Sequence, residues 1–180
     1  MVSGMQPGES LRLPKSIEAD SDAARSVHDL VRGAGPLWSG GRLPVARTVL
    51  SPALEAALKS AFAAGRVVRG IEDATRVLAA ETRGLEQVDR RTGVARGGRV
   101  SRLLILADDG AERFYRNAES LLRDHAPRVL ALRLSVDQQT LGRLLFGEGQ
   151  LARLLLIEHK EGVAAVLRAV ASTWRDRPPS

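Results

Sequence analysis

Residues 64–76, Ala-Gly-Arg-Val-Val-Arg-Gly-Ile-Glu-Asp-Ala-Thr-Arg, are the first place in this chain where residue types and spacing could do chemistry. Gly65 and Gly70 bracket a short β-prone pair, and Gly70 opens directly into a helix-like segment. The start of a helix leaves backbone N–H groups unpaired at the positive end of its dipole, a natural place for an anion or a nucleotide. Here the first turn carries Glu72 and Asp73, which also complement the dipole by themselves. The second place is Asp108-Asp109, at the end of the apolar run 102–107. Carboxylates at the C-terminal edge of a strand can hold Mg²⁺ or accept a phosphoryl group. No aspartate directly follows the next apolar strand, 129–134, to join the pair. Asp137 belongs instead to the first turn of the next helix, so the acidic pair reads as a strand stop and a helix start near Glu112.

Other chemistries fail on residue type. There is no cysteine, hence no disulfide, thiolate ligand or thiol nucleophile. His28, His125 and His159 stand too far apart to suggest a ligand pair. The sequence contains no Gly-x-x-x-x-Gly-Lys-Ser/Thr loop, no dinucleotide fingerprint and no Gly-x-Ser-x-Gly elbow. No catalytic residue, metal ligand or cofactor is therefore assigned, and the chain reads as a binding protein, not an enzyme.

The elements that must position these residues follow from composition and periodicity. At 180 residues with 44% apolar but only 3% aromatic content, the core must be aliphatic, and a base-stacking sheet of clustered aromatics is excluded. The net charge is +6, and among 27 basic residues only Lys15, Lys59 and Lys160 are lysines, a balance that permits contact with phosphates. No apolar run has the length of a membrane span and the N-terminus lacks the order of a signal peptide, so the cytoplasm is expected. Polar residues 1–20 predict a flexible arm, a short amphipathic helix is expected at 22–32, and breaker-rich 33–44 reads as a connection. The folded domain is placed at 51–174, after an extension at 1–50 and before a flexible tail at 175–180. Within it, Ser51-Pro52 starts a helix bearing Leu54, Leu58 and Phe62; Val67-Val68, 102–107, 129–134 and 151–157 read as strands; helices lie between and after them, one opened by a Ser135/Gln138 capping box. Apolar strands between amphipathic helices predict an α/β fold, a three-layer α-β-α sandwich around a mixed, roughly four-stranded sheet. Residues 85–99, rich in arginine and glycine, are expected as a basic loop insertion.

The order of these signatures carries a resemblance. Ala64 to Gly70 leading into a helix, the strand Leu103 to Ala107 closed by Asp108-Asp109, and Leu141-Gly142 followed by Gly147 together resemble the L-seven-Ae/L-thirty-e family of ribosomal and kink-turn RNA-binding proteins, in particular its small bacterial members. The similarity covers about two thirds of the chain. It implies RNA recognition through the start of the second helix of the domain, aligned with Gly70, Glu72, Asp73 and Arg76 and flanked by Arg66 and Arg69, with a loop containing Phe146 and Gly147 closing over an extruded base. Glu72 departs from the family's asparagine, and a carboxylate can only accept hydrogen bonds where asparagine also donates. Secondary phosphate contacts are expected from Arg90, Arg91, Arg96 and Arg99 on the basic insertion. The expected partner is structured RNA, kink-turn-like or ribosomal, with no membrane involved. The alternative is an adaptor that keeps the fold, has lost specific RNA recognition and docks a protein through its N-terminal extension, at Val27 and Trp38.

Overall fold

The computed structural model describes residues 11–94 and 98–177. Its described elements run α1 (Lys15–Glu18), α2 (Ser21–Arg32), β1 (Gly35–Pro36), β2 (Pro44–Thr48), α3 (Pro52–Ala63), β3 (Val67–Arg69), α4 (Ile71–Thr92), β4 (Arg102–Leu106), α5 (Glu112–Asp124), β5 (Val129–Leu134), α6 (Gln138–Phe146), β6 (Leu154–Ile157) and α7 (Lys160–Arg175). The strands form one mixed sheet in the order β1-β2-β5-β4-β6-β3. Strands β2, β5 and β4 are mutually parallel, and β6 runs antiparallel to both β4 and β3. Consequently β2, β3, β4 and β5 all end at the same edge of the sheet, and α3, α4, α5 and α6 all begin there.

Alternation along the strands builds the three layers. Leu103 and Ile105 of β4, with Leu132, Leu134, Leu155 and Ile157, face a core shared with α2, α3, α6 and α7. Leu104 and Leu106, with Ala131, Leu154 and Leu156, face Ala74 and Leu78 of α4 and Ala118 and Leu122 of α5. Residues Leu103–Leu106 are all fully buried, which is why this strand reads as an unbroken apolar run. The fold class matches the expectation of an α-β-α sandwich, while the sheet has six strands where about four were expected.

The two additional strands belong to the segment read as an extension. Residues 11–50 are part of the domain: Leu13, Ile17 and Val27 are fully buried in the core under α7, and β2 pairs with β5 from Ala46↔Leu132 to Thr48↔Leu134. From residue 11 onward the flexible arm, and with it the domain start near Ser51, is thus corrected; residues 1–10 of the expected arm lie outside the described residues. Leu13 and Ile17 sit among polar residues with no period to betray them, and β2 opens on Pro44, a residue tolerated at a strand's first position but read from sequence as a breaker. The basic insertion is also corrected. Residues 85–92 continue α4 as regular helix, closed by Gly93 in the left-handed conformation at φ +66°. Finally, the cap of α6 is Asp137, whose Oδ1 accepts from Thr140 N–H at 2.7 Å, not Ser135. The backbone and side-chain hydrogen bonds from Thr140 hold the Asp137 carboxyl below its ordinary range.

Candidate nucleic-acid interface

The sheet edge where α3 to α6 begin gathers the residues singled out in the sequence. Strand β3 ends at Arg69, and Gly70 turns the chain into α4 with φ +91° and ψ 154°, a conformation that L side chains rarely adopt. No side chain caps this helix start. The Gly70 N–H instead donates to the Leu154 carbonyl at 2.9 Å, joining the turn to the first residue of β6. The loop preceding β6 is thereby drawn against the start of α4, although some eighty residues separate them in the chain.

That loop is built on two further glycines with positive φ, Gly147 at +96° and Gly149 at +77°. Gln150 N–H donates to Gly147 carbonyl at 3.2 Å, and Ala152 N–H to Gln138 carbonyl at 3.0 Å. The loop lies flat on α6 at Gly142, where an added Cβ would sit 2.1 Å from the Gln150 carbonyl oxygen and 2.7 Å from Leu151 Cα. A glycine at this buried helical position is therefore a condition of the loop's course. The Leu141-Gly142 pair noted in the sequence has its physical reason here.

Arg69 connects the two halves. Its guanidinium lies 4.6 Å from the centroid of the Phe146 ring, and its Nη1 donates to Gln150 Oε1 at 3.2 Å. Phe146 in turn meets Phe62 edge to face, with centroids 5.3 Å apart and planes at 84°. Phe62, expected in the buried stripe of α3, is 40% exposed. An arginine stacked on one ring of an edge-to-face pair at a glycine turn sets a cation near the 40% exposed Phe62 ring, an arrangement suited to a phosphate and a base. Asp73 in the first turn of α4 and Arg76 in the next form an exposed ion pair at 2.5 Å, and Glu72 is exposed beside them. The charges of Arg69, Glu72, Asp73 and Arg76 cancel, so this cluster carries no net charge.

Of the residues expected to act together, the structure joins Arg69, Gly70, Glu72, Asp73, Arg76, Phe146 and Gly147. Arg66 is not among them. It precedes β3, about 10 Å of strand away from Arg69, and ion-pairs with Glu161 at 3.1 Å. Phe62 and Gln150 complete the cluster; Gln150 lies in the loop expected to close over a base, whereas Phe62 was read only as part of the buried stripe of α3. Of the secondary contacts, Arg90 and Arg91 are exposed in the last turn of α4, Arg96 lies outside the described residues, and Arg99 points inward to Glu18 at 2.6 Å and to the Leu13 carbonyl.

Asp108 and Asp109 occupy the same edge in structural roles. Asp108 Oδ1 accepts from Arg133 Nε at 2.5 Å and Arg47 Nη2 at 3.0 Å, tying β4 to β5 and β2, and Asp109 accepts from Gln138 N–H at 2.9 Å. Among the described residues no group of three or more His, Asp or Glu could hold a metal ion, and no helix is long and apolar enough to cross a membrane. The N-terminal docking residues are likewise engaged: Val27 is fully buried, and Trp38 donates its indole N–H to Glu119 at 2.5 Å beneath the Arg116 guanidinium. Glu119, only 2% exposed, also accepts from Arg42 N–H at 2.8 Å and Leu43 N–H at 3.1 Å. Burial pushes its carboxyl up, but these donors together with Arg123 outweigh it and leave the group below its ordinary range.

No protein-family model matches the sequence, and no curated protein matches it. Among solved structures, a protein of unknown function from Bacillus halodurans C aligns with a TM-score of 0.45 and 16% identity, over 68% of this chain and 99% of that one.

Proposed function

We propose that the chain is a non-catalytic RNA-binding protein that contacts structured RNA, kink-turn-like or ribosomal, through the start of α4 and the loop before β6. The observation that carries this reading is Arg69, held over Phe146 at 4.6 Å beside the positive-φ turn at Gly70. The resemblance to the L-seven-Ae/L-thirty-e family supports it, since the segments that carry that likeness are the ones that meet at this edge. The uncapped N–H groups of α4 and the Arg69 guanidinium supply donors for phosphate oxygens, and the Phe146 and Phe62 rings supply a surface for a base splayed from its helix. Glu72 can accept from the N1–H and N2–H₂ of a guanine edge, the acceptor half of what asparagine offers.

The test is binding of a kink-turn RNA and of an unstructured RNA across a salt series, with wild type and an Arg69→Ala/Arg76→Ala variant. Phosphate attraction without specific recognition gives dissociation constants of roughly 10⁻⁴ to 10⁻⁶ M at physiological salt. Wild type is expected to bind the kink-turn RNA more tightly than that, and the variant to lose the preference. Equal binding by the two proteins refutes this site.

A further inference from the structure

The opposite edge of the sheet carries a separate cationic groove. Two adjoining cavities of about 490 and 440 Å³ share Arg99, Ser101 and Lys160, and between them are lined by Lys15, Arg99, Arg102, Arg128, His159 and Lys160. Their position follows from the topology. Arg102 opens β4, Arg128 immediately precedes β5, and His159 and Lys160 follow β6, so all lie at the end of the sheet remote from Gly70.

Charge is not balanced within this groove. One carboxylate, Glu81, serves two guanidiniums, accepting from Arg102 Nε at 2.9 Å and from Arg128 Nη1 at 2.8 Å. Glu18 is taken by Arg99 and Glu161 by Arg66. Among the described residues, Lys15 and Lys160 have no carboxylate partner, and Glu158 is the remaining acid of the lining. Furthermore, Arg128 Nη2 is buried with no acceptor in reach. A buried donor left unpaired is unfavourable, and an anion that drew the Arg128 guanidinium into the groove would relieve it. The sixteen-residue helix α7 begins here, adding the positive end of its dipole.

We infer that this groove is a second phosphate-binding site, and that the phosphates it takes are phosphodiesters of RNA. The identity of the anion rests on the RNA-binding reading above; the site itself rests on the unbalanced cations and the orphan guanidinium N–H. The two edges are separated by the length of β4, five residues or about 16 Å, so their contributions to binding should add.

The experiment compares wild type, Lys15→Gln/Lys160→Gln and Arg69→Ala/Arg76→Ala, each titrated with labelled kink-turn RNA and labelled single-stranded RNA by fluorescence anisotropy over a salt series. Both lysines are exposed, so the first variant should melt as wild type does. It is expected to bind both RNAs more weakly and to reduce the slope of log K against log salt by about 1.5, two phosphate contacts at 0.7–0.9 each. An unchanged slope and affinity overturn the groove as an RNA site, whatever the Arg69/Arg76 variant does. Loss of binding in that second variant alone leaves the function standing without the groove; an effect of the lysine variant alone leaves the groove standing without the α4 site. Inorganic phosphate is titrated in parallel with the His159 imidazole followed by NMR. A response to phosphate with no change in RNA slope overturns the phosphodiester assignment in favour of a free phosphate ligand.

Discussion

Gly142→Ala sets two effects of known size against each other. In a helix interior, alanine is favoured over glycine by roughly 0.5–1 kcal/mol, so on local grounds the substitution should stabilise α6. The tertiary contact reverses the sign. The new Cβ would lie 2.1 Å from the Gln150 carbonyl oxygen, and ordinary contact begins at 3.4 Å, so the loop backbone must retreat by about 1.3 Å. Rigid backbone, not a flexible side-chain end, is what must move, and overpacking of this kind costs roughly 1–3 kcal/mol. The expected net result is a loss of about 1–2 kcal/mol in urea unfolding. Displacement of Gln150 also releases Arg69 from its 3.2 Å hydrogen bond, so RNA affinity should fall with stability. A Gly142→Ala protein as stable as wild type or more so, with unchanged RNA affinity, would refute both the described course of the loop and its role in holding Arg69.

Four further outcomes are expected. Phe146→Ala should weaken RNA binding by the worth of one aromatic stacking surface, about 1–3 kcal/mol or roughly 5- to 150-fold, measured by anisotropy; a change below twofold removes the stacking role. Glu119→Gln should lower the thermal midpoint by about 4–8 °C, because both carboxylate oxygens face donors and an amide nitrogen would meet either the Trp38 indole or the Arg42 and Leu43 N–H groups, a loss of about 2 kcal/mol. In wild type the same carboxyl has its folded pKa below the ordinary value of 4.5, so its contribution is complete above that pH and is lost as pH falls through the folded value; acid titration of Trp fluorescence checks it. Asp108→Ala should destabilise by about 1.5–3 kcal/mol, since Arg133 is left 16% exposed without its carboxylate, with RNA affinity unaltered; preserved stability would return Asp108 to consideration as a functional group.

Much of the architecture was legible as local pattern. The unbroken apolar run of β4, the stripe and cap of α3, and the switch between helical and strand periods suffice for an α-β-α sandwich, because each records burial on one face or two. The Gly70 turn was legible for a similar reason: a positive φ calls for glycine, and glycine is visible. Residues 11–20 and β2 were not. Leu13 and Ile17 are buried by the underside of α7, and β2 exists because β5 offers it an open edge; neither partner is near in the chain. The length of α4 was obscured because its last turns run into a stretch, 85–99, whose arginines and glycines have the composition of a linker.

The candidate interface divides along the same line. Its components, a glycine turn, an arginine, an aromatic and a glycine-rich loop, are residue types that composition and spacing can display. Their meeting required β6 to run antiparallel beside β3, which lays Leu155 against Arg69 and brings the loop onto the start of α4. Strand pairing likewise carried Arg66 to the far end of β3 and removed it from the cluster, and it turned Asp108 into a clamp for Arg47 and Arg133. Residue type sets what a side chain can do, and is written in the chain. Which groups share an edge depends on strand order and direction, an outcome of long-range pairing that no local window contains.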